Sequence, residues 1–248
     1  MYNFASLRTL LLFVLSLGTC LMNASQITQS VRVWDLPTRV FHVLLIFSVL
    51  GLVTTGELGG DFMRLHFWFG YHVLALILFR LAWGVLGGHW SRFVNFVPTP
   101  RGLMDYIQTW QTKQPSHHVS HNPLGAISVV AMLLLLLSQV ITGFLSDDEI
   151  ATSGPWVAWA PNAWVSVATT YHGDIGKVLL ICLVILHVAT VVYYKRVRNN
   201  DLISPMWHGD KQLPPDTLAS RDTVTSRLFA LSIFMASAYI VYRLVNLG

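Results

Sequence analysis

The sequence predicts an all-α membrane protein whose core is a four-helix transmembrane bundle, and three observations carry that expectation. Of 248 residues, 54% are hydrophobic and only 11% charged, with a mean hydropathy of +0.55, whereas soluble domains carry about a quarter charged residues. The apolar residues fall in runs of about 17 to 22, the length that crosses a hydrocarbon core of roughly 30 Å. Lys and Arg gather in alternate gaps between those runs, as they do in cytoplasmic loops. A soluble globular protein is excluded. The cations form no stripe, so the net charge of +4 marks topology and not nucleic acid binding.

The first apolar run, residues 10–17 behind Arg8, has the length of a signal-peptide core, and Leu17-Gly18-Thr19-Cys20 resembles a lipoprotein cleavage box. Residues 1–30 are therefore an N-terminal apolar segment with three readings: an uncleaved helix, a signal-like sequence, or residues upstream of the true start. Four core spans follow at residues 38–56, 66–87, 125–145 and 175–194, bounded by charged, Pro or Gly residues. They set a core at 31–206. A polar linker at 207–227 contains Pro214 and Pro215, and residues 228–246 hold an additional C-terminal span.

Arg32 and Arg39 precede the first span, Arg92, Arg101 and Lys113 separate the second and third, and Lys195, Arg196, Arg198 and Lys211 follow the fourth. These regions are expected in the cytoplasm. Glu57 and Asp61 with Arg64, and then Asp147, Asp148 and Glu149 with no base, belong outside. Cys20 and Cys182 form no Cys-x-x-Cys or Cys-x-x-Cys-His pattern, which excludes a disulfide scaffold, a thiol redox motif and covalently attached haem.

The anomaly is histidine. Five of ten, His42, His66, His72, His172 and His187, lie inside or at the rims of the spans, where an ionisable side chain is costly and marks a functional site by default. Depth pairs them. His42 near the start of the first span matches His187 toward the end of the fourth, and His66 at the start of the second matches His172 before the fourth. The 15 residues from His172 to His187 correspond to about 22 Å of rise and about 60° of rotation, so one helix can serve two stacked layers.

Each layer offers two imidazoles and no intramembrane Asp, Glu or Cys, too few ligands for a bare zinc ion. Haem brings four equatorial nitrogens and needs only axial ligands. Two non-covalent b-type haems per chain are therefore expected, with His42, His66, His172 and His187 as axial ligands to iron. Gly70 and Gly176, each four residues after a ligand, leave room for a flat ring or for close helix packing. His72 lies about 240° from His66 around the helix. It is the alternative outer ligand or a hydrogen-bonding neighbour. Arg80, 14 residues past His66, reaches a depth suited to haem propionates on the cytoplasmic side or to snorkelling. His89, His117, His118, His121 and His208 read as solvated loop residues, and the tryptophans as an interfacial belt.

The stretch Val31-Arg32-Val33-Trp34-Asp35-Leu36-Pro37-Thr38-Arg39-Val40-Phe41-His42 resembles the opening of the prokaryotic cytochrome b561 and nickel-iron hydrogenase b-type cytochrome subunit family. Leu65-His66-Phe67-Trp68-Phe69-Gly70, Phe79-Arg80-Leu81-Ala82-Trp83-Gly84, His121-Asn122-Pro123-Leu124-Gly125 and Leu202-Ile203-Ser204-Pro205-Met206 look like its later motifs. The resemblance implies a four-helix bundle holding two b-type haems through histidines that match His42, His66, His172 and His187. The two histidines of the fourth helix are commonly 14 residues apart in that family. The extra residue here is expected at the helix start or in a π-bulge.

The resemblance also implies a bacterial inner-membrane, multi-pass protein of a respiratory chain, carrying electrons between the quinone pool and a periplasmic partner such as a c-type cytochrome, a flavoprotein or a hydrogenase. Two other readings remain open: a haem edge reacting with superoxide or another small oxidant and coupled to quinone, and a histidine-dependent ion transporter. Missing intramembrane carboxylates and unbroken helices weaken the last.

Overall fold

The computed structural model describes residues 28–109, 119–149 and 152–247. The N-terminal apolar run, Cys20, Lys113, His117 and His118 lie outside them.

Among the described residues, five helices are long and apolar enough to cross a membrane. Asp35 and Pro37 start the first, α1 (Leu36–Leu58): the Asp35 carboxylate accepts from the Thr38 amide, and proline fits the first turn, where no intrahelical donor is needed. Gly59 and Gly60, at φ of 61° and 50°, turn the chain through the left-handed region into α2 (Met63–Leu86). The short α3 (Pro100–Thr109) follows. Next comes α4 (Pro123–Phe144), which again pairs a side-chain cap, Asn122, with a first-turn proline.

The fourth span is composite: α5 (Asn162–Thr170), a π-helical turn at Tyr171–Gly176, and α6 (Lys177–Arg196). The π turn supplies the extra residue that the 15-residue spacing demanded. With one residue absorbed, His172 and His187 are 14 regular steps apart, about 40° short of whole turns, and share a helix face. After α7 (Ile203–His208) the last span, α8 (Val224–Val245), begins at a Thr223 cap.

The centre of the bundle is α2, which packs against α1, α4 and α8. Val73, Ile77, Leu136, Val140, Leu180 and Val241 join α2, α4, α6 and α8 in one core, and Phe41, Leu76, Phe79, Trp83 and Ala230 form a second layer. The outward faces, with Phe47, Ile185 and Leu186 all more than half exposed, are apolar. A lipid solvent imposes that pattern, because backbone polar groups are satisfied within the helices and apolar side chains can face outward.

The basic end carries structure that hydropathy does not announce. A four-residue strand β1 (Gln29–Arg32) pairs antiparallel with β2 (Asp210–Leu213) inside the polar stretch before α8. Arg32 bridges Asp210 at 2.9 Å, and Arg32, Arg39 and Arg227 converge on Asp222. Burial pushes the Asp222 carboxyl up, but the hydrogen bond from Arg227 and the surrounding guanidinium charges hold it below the usual carboxylate range. Ser220 and Leu218 then tie the same stretch to Val33 and Trp90. This packing fixes where α8 enters the bundle.

Candidate functional site

Two clusters of histidine lie at opposite ends of the bundle. At the end carrying Glu57 and Asp147, His66 on α2 faces His172 in the π turn, with ring centres 6.0 Å apart and planes crossed at 84°. The Nδ1–H of His66 donates to the Leu52 carbonyl at 3.0 Å, and that of His172 donates to the Gln139 carbonyl at 2.9 Å. Since a carbonyl only accepts, both rings are fixed as the tautomer whose Nε2 lone pair is free. This is the arrangement that orients a metal-binding histidine.

The spacing fits a haem. An imidazole nitrogen sits about 2 Å from a first-row metal, so two such bonds plus the half-rings beyond them add to about 6 Å. Among the described residues no group of three or more His, Cys, Asp or Glu is placed to hold a bare metal ion. A facing pair therefore suits a group that brings its own equatorial ligands.

Glycines from neighbouring helices make the room for these rings. A Cβ on Gly143 of α4 would stand 2.9 Å from His172 Cε1, and one on Gly56 of α1 would stand 3.2 Å from His66. The sequence pointed instead to Gly70 and Gly176 on the ligand helices. Gly70 is open, with only Leu52 Cδ2 at 4.0 Å, whereas Gly176 packs tightly against Gln139 and Tyr171. Gly56 and Gly143 escaped notice because each stands at the end of an apolar run and reads there as a boundary.

His72 turns elsewhere. Ser48 Oγ donates its one hydrogen to the Leu44 carbonyl, so His72 Nδ1 donates to Ser48 Oγ at 2.8 Å. Its ring meets the edge of Phe234 on α8. It does not face His172.

At the basic end, His42 on α1 and His187 on α6 lie within electrostatic reach of each other. A third imidazole joins them. His121, expected from its loop position to be solvated, is wedged between Trp34 and Phe96, with ring centres 4.8 Å from each. Burial, with the nearby charges of Arg80, His187 and His42, holds its pKa down to about 3, and its buried Nδ1 has no hydrogen-bond partner among the described residues. A one-sequence signal existed only in the motif around it, since hydropathy cannot separate a capping loop from a solvated one.

Arg80 is 3% exposed. Its Nη1 donates to the Ser91 carbonyl at 3.0 Å, and its guanidinium lies 4.6 Å from the centre of the Phe93 ring. It does not snorkel. Asp35, fully buried, accepts from Thr38 N, Trp83 Nε1, Gly88 N and Ser91 Oγ. One side chain thus joins the start of α1 to the end of α2 and the loop beyond it.

Residues 33–209 match the model of the prokaryotic cytochrome b561 family. The chain is 27% identical, over 74% of its length and 89% of the relative's, to a protein of Rhizobium leguminosarum bv. viciae named Probable Ni/Fe-hydrogenase B-type cytochrome subunit. A protein of the same name from Bradyrhizobium diazoefficiens is 25% identical over 74% of this chain and 86% of its own. Probable Ni/Fe-hydrogenase 1 B-type cytochrome subunit of Escherichia coli K12 is 24% identical over 71% and 88%. No solved structure matches at a significant level. With five membrane-length helices among the described residues and a family match spanning both histidine clusters, the chain belongs to the prokaryotic cytochrome b561 family, multi-pass proteins of the bacterial inner membrane that transfer electrons through b-type haem.

Proposed function

We propose that this chain holds two b-type haems, one between His66 and His172 and one between His42 and His187, and passes single electrons between a periplasmic hydrogenase and the quinone pool. The observation that supports it most is the His66–His172 pair, whose ring centres lie 6.0 Å apart while both Nδ1 atoms are tied to main-chain carbonyls, leaving Nε2 of each ring as the available ligand. The haem iron supplies one-electron chemistry at a potential set by its axial ligands and burial. The chain's own contribution is to orient four imidazoles, exclude water with apolar walls, and keep a flat group from shifting by packing it between helices.

Arg80 and His121 suit the propionates of the haem at the basic end. Arg80 brings a buried positive charge, and His121 brings a buried Nδ1 that no described residue satisfies. A buried group left unpaired costs about 1–3 kcal/mol, so a carboxylate there stabilises the site. The hydrogenase assignment follows the names of the relatives. The acidic end, where the Asp147 amide bonds Thr169 Oγ1 three residues before His172, is the end expected to meet that partner, on the outer side by the distribution of Lys and Arg.

The test is spectroscopic. Purified protein is expected to show the reduced-minus-oxidised absorption of b-type haem at two haems per chain, and hydrogen with its hydrogenase present is expected to reduce it. A colourless chain expressed with ample iron and porphyrin overturns the haem assignment. Reduction by every donor except hydrogen overturns the partner alone.

Gly143→Val carries a sharper expectation. With a Cβ already 2.9 Å from His172, the extra methyls have to displace the imidazole, and overpacking of this kind costs about 1–3 kcal/mol. Haem content is expected to fall to the single basic-end group, while Gly173→Ala, whose Cβ meets nothing within 4 Å, keeps both. Absorbance per chain measures the difference.

A further inference from the structure

A cavity of about 670 Å³ lies at the basic end, between the last turn of α2 and the first turn of α8. Three groups on its wall carry or accept positive charge, His89, Arg92 and Arg221, and no Asp or Glu lines it among the described residues. The nearest acid in sequence, Asp222, is already engaged by Arg32, Arg39 and Arg227. Arg92 donates Nε to the Gly87 carbonyl at 2.9 Å, which fixes the base of the guanidinium and leaves its two terminal nitrogens for an anion. Planar guanidinium groups grip phosphate through paired bonds.

The hydroxyls of Thr225 and Ser226, in the first turn of α8, add donors to the same wall. The helix start contributes partial positive charge. The opposite wall is apolar. Leu86 and Phe229, 54% and 48% exposed, lie at the ends of two membrane-spanning helices. The cavity therefore sits where polar headgroups begin, with cations on one side and a path to the acyl region on the other.

We propose that this cavity binds the phosphate of an anionic membrane phospholipid, held by Arg92 and Arg221, with its acyl chains running along Leu86 and Phe229. A free phosphate ion would leave the apolar wall uncovered, and a neutral quinone would leave both guanidinium groups without an anion. The bound lipid bridges α2 to α8. Since α8 lies beyond the family match at residues 33–209, the site fastens a helix outside the matched segment to the matched bundle. It does not depend on which electron carriers the protein serves.

The full chain, purified and stripped of lipid, is returned to nanodiscs of phosphatidylcholine with or without phosphatidylglycerol, and retained lipids are counted by native mass spectrometry. Retention of one phosphatidylglycerol per chain is expected. The double substitution Arg92→Gln with Arg221→Gln is expected to weaken that retention about thirtyfold, the effect of two cations at a membrane surface. Arg196→Gln with Arg198→Gln, which removes the same charge from the same end, is expected to leave it unchanged.

Equal loss in both double variants shows diffuse charge attraction and overturns the site. Equal retention of phosphatidylcholine and phosphatidylglycerol also overturns it. So does binding of inorganic phosphate as tight as that of phosphatidylglycerol, or a retained quinone that the Arg92 and Arg221 substitutions release. Haem absorbance of both variants reports that the bundle is intact, which keeps failure of this proposal distinct from failure of the haem assignment.

Discussion

Replacing His66 with alanine is expected to remove one haem, halving the b-type absorbance per chain, while His72→Ala leaves both. The two residues are six apart on one helix, yet they face different partners. His66 meets His172 across 6.0 Å with its Nδ1 held by the Leu52 carbonyl. His72 is held by Ser48 and covered by Phe234 of α8. Loss of an axial nitrogen removes a metal–ligand bond that nothing nearby replaces, because no third His, Cys, Asp or Glu joins the pair among the described residues. Loss of His72 removes a hydrogen bond within the membrane, worth about 0.6 kcal/mol on average in one well-studied case. Pyridine haemochrome content of the two purified variants decides the matter. Loss of haem from His72→Ala with retention in His66→Ala would reverse the outer-layer assignment.

The second large effect concerns stability. Asp35 is fully buried and accepts from Trp83 Nε1 at 3.1 Å, Gly88 N at 3.2 Å and Ser91 Oγ at 2.9 Å, besides capping α1 through Thr38 N. Asp35→Ala strands these donors without water to receive them. At about 1–3 kcal/mol for each buried donor left unsatisfied, and about 1 kcal/mol for the lost helix cap, a loss above 3 kcal/mol is expected. Arg80 also loses its nearest buried counter-charge. Asp35→Asn keeps one acceptor oxygen and is expected to fall between the two. Thermal unfolding of the haem-loaded protein in one detergent measures the order. An alanine variant as stable as the parent would show that Asp35 does not join the two helices.

Both expectations turn on features that differ in how far a sequence can show them. The spans were legible because lipid imposes a one-dimensional rule: a helix must stay apolar for about 20 residues or leave the bilayer. The pairing of His66 with His172 was legible for a related reason. Depth in a membrane helix is close to linear in residue number, so histidines equally far from the same face fall in one layer. The 15-residue spacing, one more than the family's usual 14, left the extra residue to the helix start or a π-bulge, and the structure has a π turn at Tyr171–Gly176.

Other features were hidden. Asp35 sits in a motif that marks the start of a span, but its partners at Trp83, Gly88 and Ser91 are about fifty residues away and become neighbours only when α1 and α2 pack. The strands β1 and β2 are four residues each and meet across most of the chain, too short for alternation to register. His121 looked solvated because its neighbours in sequence are polar, whereas its neighbours in space are Trp34 and Phe96.

The amino-acid order by itself determined that the chain crosses a membrane as helices, which ends of those helices carry acid or base, and which imidazoles share a depth. Each follows from properties summed along a single segment. Only the tertiary structure decided which helix faces meet: that His66 and not His72 looks at His172, that Gly143 and Gly56 clear space for the rings, and that Arg92 and Arg221 converge on one cavity. Those are relations between segments, set by how side chains interlock in three dimensions, and no single segment contains them.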